Sequence, residues 1–156
     1  MSLDIPSIQK IDGSGFHIAL IASRYNEALV DSLVHHACAT LEASGAASTL
    51  VERVPGAAEL PFAAATLAKH GSFDAIICTG VVIAGDTNHH EIIADSTASA
   101  LLDLSIAKKV PVINGILVVN NLAQAEARAG DEINRGKEFA QAALEMAQFA
   151  KKWKKK

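Results

Sequence analysis

The chemistry of this chain concentrates between Asp74 and Glu91, DAIICTGVVIAGDTNHHE, where an apolar run gives way to a glycine turn, two histidines and a carboxylate. An imidazole such as that of His89 both gives and takes protons near neutrality, so it suits acid-base work. Just upstream, separated from it by Asn88, stand Gly85, Asp86 and Thr87. A turn that leads from a strand into a helix presents unpaired N–H groups and the positive end of the helix dipole, a site for phosphate or carboxylate. The stretch therefore reads as an anion held beside a proton-transfer group. An ordinary strand-to-helix connection with surface histidines accounts for the same residues equally well.

Other polar residues fall where they could join such a site. Arg24-Tyr25-Asn26 follows the apolar run from Phe16 to Ala22, and open α/β sheets bind ligands at the C-terminal ends of their strands. Beyond Thr49 to Val54, Pro55-Gly56-Ala57-Ala58-Glu59-Leu60-Pro61 turns the chain into a helix. Ala57 and Ala58 leave room for a ligand near the backbone, and Glu59 falls in the first helical turn, where the dipole already favours a carboxylate. Asn114-Gly115 interrupts the run from Val110 to Val119. Glycine inside a strand marks a bulge or a close backbone approach, and Asn114 faces either solvent or a ligand. Among the basic residues, Arg24, Arg128, Arg135 and Lys137 stand out by their loop or helix-end positions. His35 and His36 sit inside a helical stretch and read as solvated or interface residues.

Positioning these loops requires a frame, and the hydrophobic pattern supplies one. Strands are expected over residues 16–22, 49–54, 76–83 and 110–119. Helices are expected over 27–44, from the proline turn to near Gly71, and over 89–107, 122–129 and 137–152. Asp86 and Thr87 are the expected caps of the 89–107 helix. The 49–54 strand is short and partly polar, as an edge strand is. Four strand-helix alternations with short loops predict a flavodoxin-like three-layer α/β/α sandwich around a four-stranded parallel sheet. All the polar loops would then converge on one sheet edge. Residues 1–15, ending in Gly13-Ser14-Gly15, read as an extended arm, and 16–156 as a single domain.

Composition narrows the function classes. A chain of 156 residues buries roughly 70% of its unfolded surface and needs no disulfide or metal for stability. Cys38 and Cys78 lack metal-type spacing and read as inert core thiols in a reducing compartment. With no membrane-length apolar run and no leader-like start, a soluble cytoplasmic protein is expected. Net charge is −3, and removing the five lysines of the C-terminal KKWKKK leaves −8. That terminal cluster reads as solvated, and no other basic stripe suggests nucleic acid.

Taken together, Arg24-Tyr25-Asn26, the Val54 to Pro61 segment VPGAAELP, Gly80 to Glu91, Pro111 to Leu117, and Gln124 to Gly130 with Asn134-Arg135-Gly136 resemble the lumazine synthase family in order and register, over roughly Phe16 to Ala150. That family condenses a ribitylaminopyrimidinedione with 3,4-dihydroxy-2-butanone 4-phosphate, without metal or organic cofactor. The resemblance implies that Tyr25 stacks on the pyrimidine, and that Ala57, Ala58 and Glu59 hold the ribityl chain. Asn26 and the strand residues Val81, Val82 and Ile83 complete the substrate-binding set. Gly85, Asp86 and Thr87 match the phosphate turn, with the Asp86 side chain turned away from the anion, and Arg128 matches the arginine that closes over the phosphate. His89 matches the proton-transfer histidine, Glu138 the acid that orients it, and Arg135 a basic residue near the pyrimidine carbonyl. His90 reads as a packing residue.

Three positions depart from the common family pattern: Ala84 for a basic residue, Asn114 for a phenylalanine of the pyrimidine pocket, and Arg135 for lysine. The resemblance also implies a homo-oligomer, a pentamer or a multiple of pentamers. One subunit would supply Tyr25, Glu59 and His89, and its neighbour Arg128, Arg135 and Glu138. The alternative is a flavin- or lumazine-binding or shell-forming homologue with little turnover.

Overall fold

A computed structural model describes residue 7 and residues 9–154. Of the expected arm, residues 1–6 and 8 lie outside the described residues, as do Lys155 and Lys156 of the lysine tail. Strand β1 (His17–Ser23) leads into helix α1 (Glu27–Ala43) and strand β2 (Ser48–Val54). A single 3-10 turn, Ala57–Glu59, opens α2 (Leu60–His70), and β3 (Ala75–Ile83) and α3 (His89–Lys108) follow. The chain closes with β4 (Val112–Val119), α4 (Leu122–Ala129) and α5 (Arg135–Lys154).

The two central strands show why the β-branched runs had to be buried on both faces. In β1, Ile18, Leu20 and Ala22 enter one core while Ala19 and Ile21 enter the other; in β3, Ala75, Ile77 and Val81 oppose Ile76 and Cys78. Alternation at period two demands cover on both sides. Helices α1, α4 and α5 provide it on one face, with Val30, Leu33, Ala125, Ala140 and Leu144. Helices α2 and α3 provide it on the other, with Leu60, Ala64 and Leu101. This is the expected three-layer sandwich, and Ile11, ahead of β1, is buried in the first core.

The sheet order is β2-β1-β3-β4, and every pairing is parallel. β2 is an edge strand, as its polar residues implied. The chain winds outward from β1 to β2, then crosses back to place β3 on the other side of β1. Between β1 and β3 the winding direction reverses, and a crevice opens at the C-terminal ends of the strands at such a reversal. Tyr25 and Asn26 leave one of these strands and Gly85 to His89 leave the other.

Three boundaries differ from expectation for local reasons. β4 begins at Val112 rather than Val110, because Pro111 has no N–H for the ladder, although its carbonyl accepts from Ile76 N–H at 2.8 Å. α5 begins at Arg135 rather than Lys137, because the Asn134 side chain accepts from Lys137 N–H at 3.0 Å and caps the helix two residues early. The cap of α3 is Asn88, not Asp86 or Thr87, and its side chain makes no capping hydrogen bond.

Candidate active site

The turn after β1 is set by Asn26, whose backbone is left-handed at φ 55°. Its side-chain amide donates to the Val81 carbonyl at 2.8 Å, tying the exit of β1 to β3. That bond leaves the Asn26 Oδ1 as the side-chain atom open to a ligand. Tyr25 is 74% exposed, an unusual position for a large ring unless something covers it. It lies against Gly56, where an added Cβ would sit 3.3 Å from the Tyr25 Cδ2. Glu59 reaches back to accept from Gly56 N–H at 2.8 Å and so fixes the VPGAAELP turn. Ala57 is half-buried and Ala58 exposed, which keeps the backbone there accessible. Arg24, Tyr25 and Pro55 together line a cavity of about 280 Å³.

At the end of β3, Val81 is buried and Val82 and Ile83 are half-buried. Ala84 N–H donates to the Val119 carbonyl at 2.8 Å, and the ladder stops there. The N–H groups of Gly85, Asp86 and Thr87 have no acceptor among the described residues. Nothing lies within 4 Å of an added Cβ at Gly85, so the glycine is not needed for packing and leaves the backbone open to approach. His90 braces the turn from behind: a carbonyl can only accept, so its Nδ1–H donates to the Thr87 carbonyl at 3.0 Å. His89, the first residue of α3, is exposed. Its imidazole makes no hydrogen bond among the described residues.

The remaining site residues gather elsewhere. Asn114, Arg128 and Arg135 line one cavity of about 360 Å³, with Ile116, Val118 and Phe139 as apolar wall. One Arg128 nitrogen donates to the Gln124 carbonyl at 3.1 Å, which turns the guanidinium back along α4. Arg135 donates to the Glu138 carboxylate one turn along α5. Asn114 is exposed, with its Oδ1 accepting from Ile116 N–H at 3.1 Å. Phe139 also lines this cavity, and sequence reasoning did not single it out within the helix expected over 137–152. Its signal was Gly115: a Cβ there would stand 2.9 Å from the Phe139 Cδ2 and 2.8 Å from the Cys78 carbonyl. The bare glycine admits the ring, which adds to the apolar wall beside Asn114.

Two candidate half-sites result. Tyr25, Glu59, the 85–87 turn and His89 stand at the ends of β1, β2 and β3. Asn114, Arg128, Arg135 and Glu138 stand on β4, α4 and α5. Among the described residues, neither Tyr25 nor His89 shares a hydrogen bond or ion pair with Arg128, and the Glu138 carboxylate is engaged by Arg135 rather than His89. No three His, Cys, Asp or Glu side chains cluster as metal ligands among the described residues. No helix is long and apolar enough to cross a membrane.

The chain was also compared with known proteins. The family model described as 6,7-dimethyl-8-ribityllumazine synthase matches residues 15–151. A 6,7-dimethyl-8-ribityllumazine synthase of Methylobacterium radiotolerans is 46% identical over 132 residues, covering 84% of this chain and 80% of that protein. One from Xylella fastidiosa is 42% identical over 142 residues, covering 89% and 92%. One from the archaeon Thermococcus onnurineus is 38% identical over 140 residues, covering 90% and 92%. With the match running from ahead of β1 into the last turns of α5 and taking in both half-sites, the chain belongs to the 6,7-dimethyl-8-ribityllumazine synthase family.

Proposed function

We propose that this chain condenses 5-amino-6-ribitylamino-2,4(1H,3H)-pyrimidinedione with 3,4-dihydroxy-2-butanone 4-phosphate to give 6,7-dimethyl-8-ribityllumazine, the penultimate step of riboflavin biosynthesis. Water and inorganic phosphate are released, and no cofactor takes part. The observation that carries the reading is the turn at the end of β3, in a chain that matches this family throughout. Among the described residues the N–H groups of Gly85, Asp86 and Thr87 have no acceptor, and His89 follows one residue after Thr87, which supports an anion held close to a proton carrier.

The phosphate of the butanone binds the N–H groups of Gly85, Asp86 and Thr87, and Arg128 closes over it. A charge-assisted bond of that kind contributes about 1.5–3 kcal/mol. The loss of a basic side chain at Ala84 makes Arg128 the more important. Tyr25 stacks on the pyrimidine, adding about 0.5–1.5 kcal/mol beyond its buried area. Asn26 Oδ1, the backbone of Val81 to Ile83, and the Ala57-Ala58-Glu59 turn hold the ring and ribityl chain. Asn114, Arg135 and Phe139 close the pocket from the other side.

His89 takes a proton from the 5-amino nitrogen as its bond to the ketone carbon forms, and returns one to the hydroxyl that leaves as water. The same imidazole serves the proton removal that accompanies phosphate loss. General acid-base catalysis of this kind gives about 10²–10⁴-fold. Holding two reactants in contact contributes more, since effective molarities of about 10⁵–10⁸ M attend well-oriented pairs.

This reading makes the active protein a homo-oligomer, a pentamer or a multiple of pentamers, with each site built from one half-site of each of two neighbours. The separation of the two half-sites within one chain supports it. So do the apolar side chains the single chain leaves bare: Phe62 at 80% exposure and, along α3, Ile92, Leu102 and Ile106, a surface that calls for a partner. A cytoplasmic location accompanies the reading. A binding or shell-forming homologue with little turnover is not favoured, because the relatives above carry the name of the enzyme.

The test is lumazine formation, followed by absorbance and fluorescence, in a mixture of the two substrates. The rate should exceed the spontaneous one, fall strongly in His89→Ala, and fall in Arg128→Ala chiefly at low butanone phosphate. Pyrimidine binding without acceleration would overturn the assignment.

A further inference from the structure

His36 is half-buried on α1 and plays no part in the chemistry above, yet it meets the start of α5. Its Nδ1 lies 3.2 Å from the Asn134 Nδ2. The other end of that amide is occupied, since Asn134 Oδ1 accepts from Lys137 N–H at 3.0 Å. An amide nitrogen only donates, so His36 Nδ1 must accept and the ring proton sits on Nε2. Nε2 faces Asp131 at 3.6 Å; Asp131 is 98% exposed, and a contact of that kind contributes little. The neighbouring His35 ring meets His36 edge-on at 5.5 Å between centroids.

Asn134 is a demanding residue to hold. Its backbone is left-handed at φ 56°, a conformation that few residues other than glycine and asparagine adopt. It immediately precedes Arg135, and its orientation sets the direction in which α5 begins. The helices leave little slack at this point: a Cβ at Gly136 would stand 2.4 Å from the Leu33 carbonyl and 2.9 Å from the His36 Cβ. Arg135, aimed from this first turn, lines the cavity that also contains Asn114, Arg128 and Phe139.

We infer that His36 is a positioning residue: by accepting from Asn134 it locks the cap of α5 and so fixes Arg135 against the pyrimidine half of the site. The inference rests on the pyrimidine role proposed for Arg135. It predicts an effect confined to one substrate. In His36→Leu, which removes the acceptor, the KM for the ribitylaminopyrimidine should rise about 5–10-fold, the scale of one lost buried hydrogen bond, while the KM for the butanone phosphate stays put. Asparagine places its Oδ1 where Nδ1 stood, so His36→Asn should restore the wild-type value. Glutamine imitates only the Nε2 end, so His36→Gln should behave like leucine.

Asn134→Gly keeps the left-handed backbone and deletes both hydrogen bonds. It should reproduce His36→Leu, and the double variant should be no worse than either single one. Circular dichroism melts check that each variant folds. Rescue by glutamine but not asparagine would overturn the inference, as would equal changes in both KM values or full additivity in the double variant. Because pyrimidine affinity is also readable as a Kd by calorimetry, a wild-type chain that binds but does not condense would sink the proposed reaction while leaving this inference to stand or fall on the Kd series.

Discussion

If each site is divided between subunits, two inactive variants should repair one another. His89→Ala damages the β3 half-site, with a loss of about 10²–10⁴-fold from its proton transfer. Arg128→Ala damages the α4 half-site and, at low butanone phosphate, costs about 10–150-fold, the equivalent of a charge-assisted bond worth roughly 1.5–3 kcal/mol. When equal amounts are dissociated and reassembled at random, each interface draws its His89 half intact with a chance of about one half and its Arg128 half likewise. About a quarter of the sites are then wholly wild type, and the mixture should recover about a quarter of wild-type activity against about a tenth or less in either parent. The reciprocal mixture sharpens the count. Wild type reassembled with a chain carrying both substitutions keeps about a quarter of its sites if they are shared and about half if each lies within one chain. The assay is the initial rate of lumazine fluorescence at low butanone phosphate, with native mass spectrometry showing that subunits have mixed. Activity that stays at the mean of the two parents in confirmed mixed assemblies would refute the division of the site.

The structure fixes further outcomes. Gly115→Ala should destabilise by about 1–3 kcal/mol through overpacking, because a Cβ 2.8 Å from the Cys78 carbonyl meets backbone that cannot give way; a chemical melt checks it, and pyrimidine KM should rise as Phe139 is displaced into its cavity. At position 26, where φ is 55°, Asn26→Ala should cost more than Asn26→Gly, because alanine bears the left-handed strain of about 1–2 kcal/mol that glycine escapes, and paired urea melts report the difference. Burial pushes the Cys78 thiol from 9.0 up to about 12, so the folded state keeps a proton that the unfolded state loses above about pH 9; stability should therefore fall with rising pH from 9 towards 12, by at most about 1.4 kcal/mol per unit, and Cys78→Ala should flatten that slope. For the same reason Cys78 should resist thiol reagents in the native state at pH 8 and react fully in denaturant.

Sequence and structure agree best where the controlling physics is short-range. β3 could be read from its unbroken β-branched run because a parallel strand covered on both faces has no polar side to show. The turn at Gly85 to His89 could be read because a strand end, a glycine and a helix start follow one another along the chain. The α2 terminus is similar, since Gly71 takes φ 78° where the helix ends. Contacts between distant residues were less legible. The cap of α5 depends on Asn134 adopting a left-handed backbone with its amide shared between Lys137 and His36, 98 residues away in sequence, and so the helix begins earlier than periodicity implies. Phe139 had the spacing of any apolar helix residue, and only its approach to Gly115 across the β4 edge makes it part of a pocket wall.

A like distinction separates the two candidate half-sites. Residues of the first candidate half-site are placed by the ends of β1, β2 and β3, whose register is fixed by strand pairing; those of the second are placed by β4 together with α4 and α5, which pack on one face of the sheet. Helix packing therefore helps decide how the second half is presented, and it is tight at Gly136, where an added Cβ would run into the Leu33 carbonyl. Substitutions at the α1–α5 seam should for that reason affect the pyrimidine side of the reaction before they affect the phosphate turn, which hangs from β3 and is braced by His90. A fold that fixes two surfaces by two different mechanisms can change one without disturbing the other. In this chain Asn114 and Arg135 both line the cavity that α4 and α5 help to form.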